Sequence, residues 1–316
     1  MMACLGWNTP IEFVTPTATI HDRRSQGTIG MTDVQHTIIP LWLRILRSPL
    51  ARLFLLGGSV FLMMGVNNGF MKKFAAQPLL AIAVTIAMAA LALAVYASYS
   101  RFVERRPVAE LSLPGMGREW AIGALTGAGL YTLCILILIA LGMYRIEGLN
   151  PWSYVVPAVA MALSSGVFEE LLFRGVLFRS VEDMFGSWIA LALSSLVFGG
   201  VHLLNPAGTV TGALYISIEA GVLLAAAFML TRRLWLGIGF HMAWNYTQSA
   251  IFSGIVSGNA PAQGLIRSNI KGPEILTGGS FGVESSVLAF ALCTGAGIAM
   301  LIMTERRGGI VLMPRT

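Results

Sequence analysis

Charge is what this chain has least of. Asp, Glu, Lys and Arg make up 11% of its 316 residues, where a soluble domain carries roughly 25%. Hydrophobic residues reach 56% and the mean hydropathy is +0.74. Too little polar surface is left to cover a water-soluble globule, so the chain reads as an integral membrane protein. Cysteine is scarce as well. Cys4, Cys134 and Cys293 fall in separate segments, with no spacing that suits a zinc site or a disulfide framework. Cys134 and Cys293 sit in apolar runs and read as small buried hydrophobes. The net charge of +6 does not point to nucleic acid, because the basic residues come in short clusters between apolar runs, the pattern of topology signals. No internal repeat is apparent.

Long hydrophobic runs are abundant. A helix needs about 20 mostly apolar residues to cross a ~30 Å hydrocarbon core. Eight stretches qualify, at about 50–69, 77–99, 119–143, 153–178, 187–204, 209–231, 234–256 and 284–304. The expected fold is all-α and polytopic. Residues 1–36 are polar and rich in Thr, Ser and Gly, lack the apolar core and cleavage site of a signal peptide, and read as a disordered cytoplasmic tail. Met31 is an equally good start. Residues 37–48 separate arginines from apolar residues and read as an interfacial amphipathic segment. Residues 49–145 hold spans one to three and 150–256 hold spans four to seven. Residues 257–283, rich in glycine, read as an irregular outward loop, and 284–316 hold the last span and a tail.

Orientation follows from Lys and Arg. With both termini cytoplasmic, as an even span count requires, 16 of the 21 basic residues fall on the cytoplasmic side. Only Lys72, Lys73, Arg145, Arg267 and Lys271 fall on the other. That bias favours a multi-pass protein of the plasma membrane with both ends inside.

Ionisable residues inside such spans are functional-site candidates by default. Glu169, Glu170 and Arg174 lie in the fourth span, His202 ends the fifth, Glu219 lies in the sixth, and His241 and Asn245 lie in the seventh. Glu170 and Arg174 are one helical turn apart, with Glu first, and can pair. Glu169 then faces elsewhere without a local partner, and an unpaired carboxylate in a low-dielectric site can exchange protons near neutrality. His241 and Asn245 share a helical face. Gly199 and Gly200 thin the helix before His202 and permit close packing. A hairpin turning near Gly186 sets Glu169 and His202 at nearly equal depth. That depth fits His241, close behind Arg232 and Arg233, only if residues 179–186 project from the membrane as further helical turns. Glu219 has no charge partner on its own helix and reads as structural or as a second functional group.

"EELLFR" (Glu169–Arg174), "FGGVH" (Phe198–His202) and "HMAWN" (His241–Asn245) resemble, in this order and on three separate spans, the motifs E-E-x-x-x-R, F-x-x-x-H and H-x-x-x-N of the CPBP family, the CAAX proteases and bacteriocin-processing enzymes also called Abi proteins. The stretch that carries them, about 150–255, is a third of the chain. The resemblance implies an all-helical intramembrane endopeptidase whose partners are membrane lipids and a peptide or membrane-protein substrate. Glu169 would activate water with His202, His241 and Asn245 would stabilise the oxyanion, and Glu170, Arg174 and Phe198 would support the site. Members of the family are described both as metal-dependent and as metal-free. In the first case Glu169, His202 and His241 would hold a divalent metal such as zinc. Water activation would then still need a base, and Glu170, paired with Arg174, is a poor one. A metal-free mechanism gives every group a role and is favoured. Two other functions use the same residues: a non-catalytic peptide-binding or immunity protein, and a proton-coupled transporter. Substrate, oligomeric state and metal dependence are not written in the sequence.

Overall fold

The structure is a computed structural model that describes residues 40–261 and 263–313. The 1–36 tail and the choice between Met1 and Met31 lie outside the described residues, as do residues 37–39 of the amphipathic segment. Each element starts where the sequence supplies a cap or a break. A short helix α1 (Leu41–Leu46) is followed by α2 (Pro49–Lys73), which begins at Pro49 with the Ser48 hydroxyl accepting from the Ala51 N–H. The chain then forms α3 (Pro78–Val103), α4 (Met116–Ala140), α5 (Trp152–Phe185), α6 (Ser187–Leu204) and α7 (Val210–Thr231). Thr209 caps α7 through the Gly212 N–H. Helix α8 (Trp235–Tyr246) continues in wider turns over Thr247–Ile251, and α9 (Val287–Arg306) is capped by Ser286.

Seven of these helices, α2–α7 and α9, are long and apolar enough to cross a membrane. The protein is a polytopic all-α membrane protein. The stretch expected as an eighth span, 234–256, is a shorter helix. Its 12 regular residues are extended by only 5 before the backbone turns irregular at Phe252. It packs along α4 through a seam where glycines bring the backbones together. A Cβ on Gly123 would strike the Leu236 carbonyl, and one on Gly239 would strike that of Trp120.

The core falls into separate clusters of buried residues. Tyr96, Phe168, Leu171, Phe178, Phe228 and Ile238 are buried together in one, and Tyr131, Cys134, Trp244, Phe252 and Cys293 in another. Cys134 and Cys293 are indeed buried and free. Apolar side chains such as Phe54, Phe61, Leu62, Leu125 and Leu196 point outward from the bundle, as lipid-facing residues do.

Helix α5 is 34 residues long, about 50 Å at the usual rise, and so exceeds the thickness of a bilayer core. Its last turns run on to Gly186, where φ is +81° and the chain reverses into α6. These turns carry the charges expected to project. Arg179 pairs with Glu104 and Glu110, Glu182 with Arg232, and Asp183 with Arg52. The ends of α2, α3, α5 and α7 are thereby tied into one ion-paired layer.

One feature departs from the expected all-helical chain. Residues Tyr144–Leu149 (β1) pair antiparallel with Ile266–Ile270 (β2), with a bulge between Ile146 and Gly148. The 257–283 segment is therefore not wholly irregular. Two strands of five or six residues, so far apart in the chain, leave no alternating pattern long enough to read.

Candidate active site

The first motif lies in α5 where the helix widens. Turns with i to i+5 bonding run over Ser165–Glu169 and again over Leu171–Phe178, a distortion often found at functional sites. Arg174 Nη1 donates to Glu170 Oε1 at 2.9 Å, and both side chains are about 1% exposed. Arg174 Nη2 donates to the carbonyls of Ala220 and Gly221 at 3.3 and 3.2 Å. Those two carbonyls belong to another widened turn, Ser217–Val222 in α7, where the normal helical bonding is broken and acceptors are free. The guanidinium also lies 4.7 Å from the Phe198 ring centroid, a cation–π contact. The pair expected from spacing is present and is braced from two further helices.

Glu170 has a second partner that spacing on α5 does not reveal. His241 Nδ1 donates to Glu170 Oε1 at 3.0 Å. The same imidazole turns Nε2 toward Glu169 Oε2, 3.8 Å away. Glu169 itself is 22% exposed, and its Oε2 is buried without any hydrogen-bond partner. The motif thus divides as expected into a committed carboxylate and a free one. The free one, however, approaches His241, not the His202 that depth-matching across the hairpin suggested; Glu169 and His202 form no ion pair.

His202 and Phe198 come from the end of α6. The ring lies tilted against that of Phe198, with centroids 4.9 Å apart, and Nδ1 donates to the Phe198 carbonyl at 2.6 Å. A carbonyl only accepts, so the proton of the neutral ring sits on Nδ1 and Nε2 is left as an acceptor. Close approach of α6 to α7 requires Gly199, where a Cβ would overlap Ser217 Oγ and the Ala213 carbonyl. Gly200 does not share this role, since a Cβ there would meet nothing. Only one glycine of the pair faces the neighbouring helix.

Asn245, one turn beyond His241 on α8, donates from Nδ2 to Ser165 Oγ at 2.8 Å. His202, His241 and Asn245 line one narrow cavity together with Phe198, Glu219 and Glu284. Three residues the sequence did not single out complete it. Ser165, four positions before Glu169, orients Asn245. Glu284, at the foot of α9, accepts from Trp244 Nε1 at 3.0 Å and from Ser257 Oγ at 2.9 Å, closing the loop after α8 over the cavity. Ser165 could have been found from its spacing. Ser257 sits in loop sequence and carries no signal, and Glu284 is the first residue of the stretch expected as the last span, where an ionisable residue at a span's end reads as interfacial.

The metal-holding arrangement is not assembled. Among the described residues no three His, Cys, Asp or Glu side chains converge as a ligand set. Glu169 and His241 approach each other, but His202 is not a third partner, and Glu170 is engaged by both Arg174 and His241.

Residues 151–247 match the family described as Type II CAAX prenyl endopeptidase Rce1-like. No curated protein and no solved structure matches the chain. The matched residues run from the start of α5 to the end of α8 and include all three motifs and every residue that spacing singled out. Over residues 151–247, then, this protein is similar to the Rce1-like family, a match consistent with a CPBP-type intramembrane peptidase.

Proposed function

We propose that the protein is a membrane-embedded endopeptidase that hydrolyses peptide bonds of membrane-associated peptides or proteins with a water activated by Glu169. The observation that carries this reading is the unequal fate of two adjacent carboxylates. Glu170 is locked between Arg174 and His241, while Glu169 Oε2 has no hydrogen-bond partner and stands 3.8 Å from His241 Nε2. That gap is too long for a direct hydrogen bond.

In the proposed step Glu169 takes a proton from water, and the oxygen adds to the scissile carbonyl carbon. The carbonyl oxygen becomes an oxyanion. Asn245, held by Ser165, and His241, acting as an imidazolium whose Nδ1–H is held by Glu170 and whose Nε2–H is free to donate, bond to it. His202 has a free acceptor at Nε2 and helps to orient the water. Collapse of the intermediate breaks the C–N bond, and the proton held by Glu169 passes to the departing amine, which restores the carboxylate. No step needs a group that the side chains do not supply. The family description makes a prenylated C-terminal peptide one candidate substrate. Both ends of the chain are proposed to be cytoplasmic in the plasma membrane, on the distribution of Lys and Arg, with the 17-residue segment Trp235–Ile251 as an eighth crossing beside the seven longer helices.

The test is a comparison of newly exposed peptide termini in cells expressing the parent or Glu169→Ala. Termini present only with the parent are expected, at equal membrane levels of the two proteins. An identical set of termini from both would overturn the mechanism. Stable capture of uncleaved peptide, unaffected by Glu169→Gln, would favour a binding protein instead.

A further inference from the structure

Most arginines at this end of the bundle are neutralised by the protein itself. Arg52 pairs with Glu104 and Asp183, Arg106 with Glu104 and Glu110, and Arg232 with Glu182. Arg44 is different. It stands on α1, is exposed, and has no hydrogen-bond or ion-pair partner for its side chain among the described residues. A six-residue helix is too short to hold its shape alone, and α1 is fixed from α3 instead. Arg47 Nε donates to the Val103 carbonyl at 2.9 Å, and the Tyr99 hydroxyl donates to the Leu46 carbonyl at 2.8 Å. Three residues before Arg47, Arg44 is thus carried on an anchored helix with no acid to neutralise it.

Arg44 lines an open groove of about 550 Å³ where α1 meets the start of α2, together with Ile45, Ser48, Leu50, Ala51 and Phe54. The Ser48 hydroxyl accepts from the Ala51 N–H, which leaves its own proton free to donate. None of the lining residues is acidic. The groove combines a cation and a hydroxyl donor with apolar walls. Phe54 is 73% exposed and belongs to α2, from which Phe61 and Leu62 also point outward toward lipid. We propose that this groove binds one anionic phospholipid: Arg44 and Ser48 hold its phosphate, and an acyl chain lies along Leu50 and Phe54. A guanidinium can grip two phosphate oxygens at once. A zwitterionic lipid offers the same phosphate but brings a cation of its own, which Arg44 repels. A free phosphate leaves the apolar walls unused. The proposal needs the membrane setting of the fold and is independent of the hydrolytic step.

The experiment gives full-length protein in detergent micelles an equimolar mixture of phosphatidylglycerol and phosphatidylcholine with the same acyl chains. Lipids that stay bound are counted by native mass spectrometry, for the parent, Arg44→Gln, Arg44→Lys and Arg101→Gln. The parent is expected to retain one phosphatidylglycerol in preference to phosphatidylcholine by roughly fivefold, the effect of one basic residue beside an anionic headgroup. Arg44→Gln should bring the ratio near unity, and Arg44→Lys, which keeps the charge, should keep most of the preference. Arg101 is exposed but does not line the groove, so Arg101→Gln should match the parent. Equal losses in Arg44→Gln and Arg101→Gln would show a diffuse attraction of basic residues for anionic lipid and overturn the site. A parent without preference overturns it as well. Glycerol phosphate, the headgroup without its chains, should not displace the lipid at a matching concentration; displacement would mean that the apolar walls contribute nothing and that the ligand is not a lipid. A dimer that retains no lipid would assign the groove to a second copy of the chain and refute the proposal. Arg44 has no partner within the protein to lose, so each Arg44 variant should fold as the parent does.

Discussion

Replacing Arg174 with Met removes a buried cation and keeps most of the side-chain volume. What it leaves behind sets the magnitude. Glu170, about 1% exposed, loses the guanidinium and keeps only His241 as a donor. Breaking a buried ion pair from one side generally costs about 3–5 kcal/mol, because the remaining charge is uncompensated. The surviving His241 bond places the expected value at the lower end, about 3 kcal/mol. The Ala220 and Gly221 carbonyls also lose their donor, and the Phe198 ring loses its cation. At roughly 2–4 °C per kcal/mol, the thermal midpoint of purified protein in detergent should fall by roughly 6–12 °C. Scans must share one heating rate, since membrane proteins often unfold irreversibly. The double variant Glu170→Gln with Arg174→Met removes both charges while the amide oxygen still accepts from His241. It should regain part of the loss, and the double-mutant cycle gives the coupling. An Arg174→Met midpoint within 2 °C of the parent, or a double variant worse than the single one, would refute the claim that a buried pair holds these three helices together.

The other predictions concern different parts of the molecule. Glu169→Ala should abolish cleavage while the thermal midpoint stays level or rises, because the Oε2 it removes has no partner; a fall as large as that of Arg174→Met would show Glu169 to be a structural residue. In the ion-paired layer, burial pushes the Glu104 carboxyl up, but the guanidiniums of Arg179, Arg52 and Arg106 outweigh it and hold it at about 2, below its ordinary 4.5. The unfolded chain therefore binds the proton first. The stability this contributes, on the order of 3 kcal/mol, is fully present above pH 4.5 and is lost as pH falls toward 2. The midpoint of Glu104→Gln should be lower than that of the parent at pH 6 and converge on it in acid, and parallel pH curves would contradict this. Gly199→Ala should destabilise by about 1–3 kcal/mol, since its methyl group meets the Ala213 carbonyl and Ser217, whereas Gly200→Ala should be neutral or slightly stabilising. Equal effects at the two positions would show that α6 and α7 do not meet at Gly199.

What the sequence made legible is what lies within one helical turn or follows from apolar length. The Glu170–Arg174 pair is four residues apart on one helix and was fully specified by spacing, as was the shared face of His241 and Asn245. Seven spans followed from hydropathy, and the stretch expected as the eighth is a shorter helical segment that ends at Ile251. Contacts between helices were not readable to the same degree. Matching depths across the Gly186 hairpin fixes how far along two helices lie but not how each is rotated about its axis. The widened turns at Ser165–Glu169 and Leu171–Phe178 depart from the regular rotation that helical spacing assumes, and the ion-pair contact of Glu169 is with His241. The same limit hid the asymmetry between Gly199 and Gly200, which are adjacent in sequence but point to different neighbours.

The rotation also alters how the two glutamates divide their work. Spacing alone suggests a structural Glu170 and a working Glu169. The structure makes Glu170 the bridge between Arg174 and His241: one oxygen, Oε1, accepts from both. Arg174, itself anchored to two carbonyls of α7, thereby fixes the position of the carboxylate that fixes the imidazole. A change at Arg174 must then be felt at His241 Nε2, two hydrogen bonds away, and not only in the stability of the bundle. In the proposed mechanism the buried Glu170–Arg174 pair serves to hold the ring of His241 in one orientation, as a preorganised oxyanion donor requires.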